Sequence, residues 1–142
     1  MGRSEESLGA TLAELAALDK GHLATKVRLM PTDLDDISGN IEASVMGSLT
    51  RLRVERVTLL QLHNSVTVGR GDEPTSLTPQ DVLGSGGVLE TLDRLRSRGV
   101  VEHLGLTGIG EPAALREVID SGRFATMQVP YNVLNPSAGC VV

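Results

Sequence analysis

Aromatic side chains are almost missing from this 142-residue sequence: Phe124 and Tyr131 stand alone, and tryptophan is absent. Any core must therefore be assembled from Leu, Val, Ile and Ala. Cysteine is nearly as scarce, and with Cys140 as its single example neither an intrachain disulfide nor a cysteine-based metal cage can form. Basic clusters are lacking too. The formal net charge is -5, and both nucleic acid and an anionic membrane need concentrated Lys and Arg, so neither is expected as a partner. The three arginines of RLRVER at 51–56 read as a solvated turn. No apolar run approaches membrane-spanning length, and the opening MGRSEESLG is acidic where a signal peptide would be basic and then apolar. These absences lead to the expectation of a soluble, cytoplasmic protein.

What is present is a regular alternation of two patterns. The length suits one domain, able to bury roughly two-thirds of the surface its unfolded form exposes. Ser4 can cap a helix, Glu5 and Glu6 sit where a helix N-terminus favours negative charge, and Leu8, Leu12, Leu15 and Leu18 follow at helical spacing. That helix is expected to run to about Leu18. HLATKVRL at 22–29 reads as a strand closed by a turn at MPTD. A second helix carries Ile37, Ile41, Val45, Leu49 and Leu52 on one stripe and leads into the strand VTLLQLH at 57–63.

Residues 64–87 have no sustained period and read as a long loop, of the kind that is more often functional than idle. The GSGG at 84–87 matches neither G-x-G-x-x-G nor Walker A and reads as a helix start. Leu89, Leu92 and Leu95 mark the third helix, stopped by Gly99, before the strand VVEHLGLTGI. The last helix opens at Glu111 and Pro112, buries Leu115, Val118 and Ile119, ends at Gly122, and precedes the strand ATMQVPYN. Four helix-then-strand units predict an α/β fold with a parallel sheet, because parallel neighbours need crossover connections.

Four polar groups interrupt these apolar strands. Lys26 lies in the second half of its strand, His63 at the end of the next, Thr107 near the end of the third and Gln128 midway along the fourth. Parallel sheets collect functional groups at the C-terminal ends of their strands. A lone strand-end histidine is more often a structural hydrogen-bonder, and Thr107 and Gln128 taken singly are plainer still. Lys26 is different, since an ammonium group inside an apolar strand needs a carboxylate partner or a job. His22 and His103 precede their apolar runs and belong to the opposite rim, so no three-histidine metal site is expected.

The ordered set RSEESLG, ATKVRL, IEASVMGSLTRLRVERVTLLQLHNS, GVLETLDRLRSRGVVEHLGLTG and MQVPYN resembles the aldo-keto reductases, in particular the bacterial branch acting on sugars and related aldehydes. The resemblance covers nearly the whole chain. It implies a partial (β/α)8 TIM barrel, residues 1–142 corresponding to strands three to six with the helix before each. It also implies NADPH, or NADH, bound without a Rossmann fingerprint, and a small carbonyl or sugar substrate.

By motif, Lys26 matches the family's catalytic lysine and His63 its catalytic histidine. A cation beside a phenol lowers a pKa otherwise near 10, as proton donation by the family's tyrosine requires. Thr107 and Gln128 resemble contacts to the nicotinamide carboxamide. Gly108 stands where an Asn is common, and Asn64 and Tyr131 are expected to line the substrate pocket. The proton-donating tyrosine would fall at Met1, with its partner aspartate further upstream, and the cofactor-phosphate loops would follow the chain's end. The expectation is thus a fragment with little activity alone. The other readings are a non-catalytic half-barrel that self-associates through open sheet edges, and an open sheet that binds a nucleotide. If His63 faces the barrel interior, so do Gln61 and Leu59, and that exposed inner face is expected to be largely apolar.

Overall fold

The computed structural model describes residues 2–18 and 20–136; Met1 and Cys140, both singled out above, lie outside them. Its elements in chain order are α1 (Arg3–Glu14), β1 (Ala24–Val27), α2 (Ile37–Leu52), β2 (Val57–Leu62), α3 (Pro79–Leu83), α4 (Val88–Ser97), β3 (Val101–Thr107), α5 (Pro112–Asp120) and β4 (Thr126–Gln128). The four strands form one open sheet in the order β1-β2-β3-β4, every neighbouring pair parallel.

The helices hold the sheet through one apolar layer. Val27, Leu60, Leu62, Leu104 and Leu106 meet Ile41, Val45, Leu49 and Leu52 of α2 and Leu92 and Leu95 of α4, all buried. Strand residues two apart share a face, so this layer consumes one face of each strand and leaves the alternate residues on the other.

α1 departs from expectation. It starts at Arg3 without a side-chain cap, so Ser4 does not cap it, and it ends at Glu14 because Ala16 takes a left-handed conformation at φ 50°. Its leucine stripe is not what docks it: Leu8 is 42% and Leu15 66% exposed. The only buried residue of the helix is Gly9, where a Cβ would stand 2.4 Å from the Arg51 carbonyl oxygen. The helix is instead tethered by Glu5, which accepts hydrogen bonds from the Thr25 hydroxyl of β1 and from Arg51 Nε of α2 at 2.8 Å. Burial works to raise the Glu5 carboxyl, but the bonds from Thr25, Arg51 and Ser48 outweigh it and hold the pKa below the usual carboxylate range.

Other segments sharpen in similar ways. The MPTD turn is a 3-10 helix over Pro31–Asp36. The long loop is ordered: Val66 bridges to Leu77 and to Gly110, and Thr78 with Asp81 forms a capping box that opens α3. Gly87 caps α4, which confirms GSGG as a helix start. α5 buries Ala114 and Val118, leaves Leu115 half-buried and exposes Ile119, so its apolar stripe is narrower than its sequence suggests. β4 is three residues long and exposed throughout.

Candidate active site

Strand register decides which polar groups meet. Lys26 pairs with Gln61, Gln61 with Gly105, and Gly105 with Thr126, forming one row across the sheet. The next row on the same face carries His63, Thr107 and Gln128, with Thr107 paired to Gln128. The backbone N–H of His63 donates to the Val27 carbonyl at 2.8 Å, extending the β1–β2 ladder so that Arg28 falls level with His63. Lys26 and His63 are thus on adjacent strands and one row apart, a Cα separation of about 8 Å from ideal strand spacings. Both lie in the C-terminal half of the sheet, on the face turned away from the helices.

His63 is half-buried and its Nδ1 lies 3.3 Å from the Thr107 hydroxyl. Burial lowers its pKa below the ordinary 6.5, and the nearby charges of Arg28 and Lys26 lower it further. The ring is therefore neutral at pH 7. The Thr107 hydroxyl can donate to Nδ1 or accept from it; in the tautomer where Nδ1 accepts, the proton is on Nε2 and free to donate to a ligand oxygen.

Gln128 has an exposed side-chain amide with no hydrogen-bond partner among the described residues, while its carbonyl accepts from the Gly108 N–H at 2.8 Å. A free amide beside the Thr107 hydroxyl matches the donor and acceptor of a carboxamide, so these residues fit a nicotinamide. Gly108 has a steric reason of its own. A Cβ there would stand 2.7 Å from Val129 Cγ1 and 2.8 Å from Met127 Sδ, space that the side chains of β4 and of the residue after it already fill.

Two residues expected in a substrate pocket stand apart from this group. Asn64 is 1% exposed. Its Oδ1 accepts from the Leu29 N–H at 3.0 Å, and its Nδ2 donates to the Leu29 and Thr75 carbonyls at 2.8 and 2.6 Å. What the geometry gives it is a brace between the end of β1 and the long loop. Tyr131 is exposed beyond β4, and β4 is three strand spacings, roughly 14 Å, from the β1 strand that carries Lys26.

The inner face is mixed, and more polar than expected toward its C-terminal end. Lys26, Gln61, His63, Thr107, Thr126 and Gln128 occupy that end, while Ala24, Leu59, Val57 and Val101 lie on the same face toward the N-terminal end, the two valines buried. Gln61 lies on this face, where alternation from His63 puts it; Arg28 also belongs here, and the period-2 reading of ATKVR was the signal that could have found it.

The other histidines lie toward the N-terminal rim: His22 is exposed before β1, and His103 Nε2 sits 3.4 Å from Glu102. A cleft of about 440 Å³ opens there, lined by His22, Arg53, Arg56 and Glu102 among others, at the end of the sheet away from His63. Among the described residues no group of three or more His, Cys, Asp or Glu is placed to hold a metal, and no helix is long and apolar enough to cross a membrane.

A family model described as the Aldo/keto reductase family matches residues 1–141. Among solved structures, the glycerol dehydrogenase AKR11B4 from Gluconobacter oxydans is similar over 99% of this chain and 41% of its own, at 27% identity and a TM-score of 0.71. An aldo/keto reductase from Klebsiella pneumoniae, solved in complex with NADP and acetate, matches over 99% of this chain and 43% of its own, at 21% identity and a TM-score of 0.72. The holo form of the aldo-keto reductase AKR11C1 from Bacillus halodurans matches over 92% and 38%, at 24% identity and a TM-score of 0.66. The last two establish likeness of fold alone. No curated protein matches the chain. The chain spans about four-tenths of the length of these structures, and its four-stranded sheet matches part of an aldo-keto reductase TIM barrel.

Proposed function

Because this chain belongs to the aldo/keto reductase family, we propose that its open sheet is a segment of a nicotinamide-dependent oxidoreductase, equivalent to barrel strands three to six, carrying the lysine and histidine of the carbonyl site. One observation supports this reading above the others: four adjacent parallel strands present Lys26, His63, Thr107 and Gln128 on one face, in their C-terminal halves. The substrate is an aldehyde or ketone, or in reverse a sugar hydroxyl. The cofactor is NADPH, with NADH as the alternative, in keeping with the relative solved with NADP.

Each residue then has a task its surroundings suit. Gln128 and the Thr107 hydroxyl hold the nicotinamide carboxamide. The cofactor supplies the hydride. His63, kept neutral by burial and by two neighbouring cations, donates Nε2–H to the substrate carbonyl oxygen and orients it without giving up the proton. Lys26 stabilises a phenolate and so lowers the pKa of the phenol that delivers the proton. Tyr131, the sequence's only tyrosine, is too far from Lys26 to be that phenol. The chain alone is therefore expected to bind NADPH without turning over.

Fluorescence titration with NADPH tests the binding half of this reading. Gln128→Ala should weaken binding roughly fivefold, the value of one hydrogen bond of about 1 kcal/mol. Absence of NADPH binding to the unmodified chain would refute the site. Aldehyde reduction by the purified chain at an ordinary enzyme's rate would refute the dependence on an outside phenol.

A second reading is favoured by the edges. β1 and β4 each have one unpaired side, and Val133 and Leu134 beyond β4 are 93% and 92% exposed. Such edges invite pairing with a second copy or a complementary piece. Sedimentation giving a sharp dimer supports assembly, and a folded monomer removes it.

A further inference from the structure

The inner face holds more positive charge than the proposed chemistry uses. Lys26 in β1 and Arg28 just past its end share it by alternation, and His63, just past the end of β2, stands level with Arg28. No aspartate or glutamate lies in the rows that carry them, which run Lys26, Gln61, Gly105, Thr126 and then Arg28, His63, Thr107, Gln128. That is unusual on a chain with a formal net charge of -5. Arg51, Arg70, Arg94, Arg96, Arg98 and Arg123 sit in ion pairs, Arg51 with Glu5 and Arg70 with Asp81, while Arg3, Arg53, Arg56 and Arg116 have none among the described residues. Arg28 is exposed, and among the described residues it has neither an ion-pair partner nor a side-chain hydrogen bond. Its charge is felt at His63, where together with Lys26 it disfavours the imidazolium.

We propose that Arg28 is an anion clamp in the substrate site, so that the carbonyl compound taken by this chain carries a carboxylate held by the guanidinium while its carbonyl oxygen meets His63. This rests on the oxidoreductase reading above for the word substrate, though the anion site itself does not. The order across the sheet separates a substrate anion from a cofactor phosphate. Gln128 and Thr107, the nicotinamide contacts, lie on β4 and β3, toward one edge of the sheet, and Arg28 follows β1 at the other edge, with His63 between them. A carbonyl over His63 therefore has the nicotinamide on one side and Arg28 on the other, where the rest of a short substrate extends. Guanidinium suits this place because its planar fork grips a carboxylate through two parallel N–H donors and it stays charged at every working pH. The bound carboxylate would supply the negative charge that these rows lack.

The test compares levulinate, a ketone with a carboxylate, with methyl levulinate, the same ketone without the charge. Binding of each to the full chain is followed through the ring signals of His63 by NMR, and NADPH binding is measured on the same samples. The carboxylate should bind roughly tenfold tighter than the ester, as one charge-assisted pair implies. Arg28→Met should bring the ratio of affinities close to one, Arg28→Lys should keep part of it, and Arg28→Glu should push it below one. Equal binding of acid and ester to the unmodified chain overturns the clamp, as does a ratio unchanged by Arg28→Met or no shift of His63 at millimolar levulinate. NADPH binding with an affinity ratio of one sinks the clamp and spares the reductase reading. A charge preference that depends on Arg28 without NADPH binding supports the clamp and sinks the reductase reading.

Discussion

On the face of the sheet turned to the helices, Val27, Leu60, Leu62, Leu104 and Leu106 are sealed from solvent; on the opposite face of the same strands stand Lys26, Gln61, His63 and Thr107. Neighbours in sequence thus face different surroundings, although Gln61 and Thr107 are themselves buried. The dry face supplies the cohesion, because each leucine there removes its whole side chain from water, an effect worth about 1.5–3 kcal/mol per residue. The polar face contributes little cohesion and is correspondingly free to present chemistry. The lysine in the middle of ATKVRL does not interrupt the helix-side layer; it occupies the face turned away from the helices.

The sharpest contrast comes from truncating one residue on the dry face. Leu104→Ala should cost about 2–5 kcal/mol in urea unfolding, through lost transfer energy and the cavity left behind. A cost under about 0.5 kcal/mol would mean that the helix layer is not what holds the sheet, since that is the size of a surface change.

Glu5 sits at the boundary of the dry layer, where one carboxylate ties α1 to β1 and α2. Glu5→Gln should cost about 1.5–3 kcal/mol, the range for hydrogen bonds to a charged group. The sign of its pH dependence follows from its lowered folded pKa. The unfolded chain binds the proton more readily, so the tether is fully present above the ordinary carboxylate value of 4.5 and is lost as pH falls from there through the folded value. Acid unfolding followed by circular dichroism should show a shallower loss of stability in the Gln variant. An identical acid limb would remove Glu5 from the tether.

Smallest of all should be the effect of Lys26→Met on stability, within about 0.5 kcal/mol, because the polar face buys the fold almost nothing. Relief of repulsion from Arg28 favours a slightly stabilising sign. A loss above about 2 kcal/mol by urea unfolding would show that Lys26 is a structural ion after all.

The same division explains what could be read from the sequence. The four strands, their parallel order and the place of His63 at a strand end were legible, because period-2 and helical spacings report burial directly. The docking of α1 was not. A leucine stripe says that some face is apolar, and says nothing of a glycine that lets two helices approach more closely than any leucine could. The bracing bonds of Asn64 were not legible for a related reason: they go to the backbone of Leu29 and Thr75, partners that leave no pattern in side-chain type. The polarity of the inner face was legible in principle. Taking alternate residues of ATKVR, and not only its lysine, would have brought Arg28 to the same row as His63.

Whether Lys26, Arg28 and His63 share one face is the claim on which the rest stands, and an NMR titration of the His63 ring against pH tests it most directly. The pKa should lie below 6.5 and move upward in both Lys26→Met and Arg28→Met, because each removes a neighbouring positive charge that opposes protonation. A His63 that titrates at or above 6.5 and ignores both substitutions would contradict the shared site.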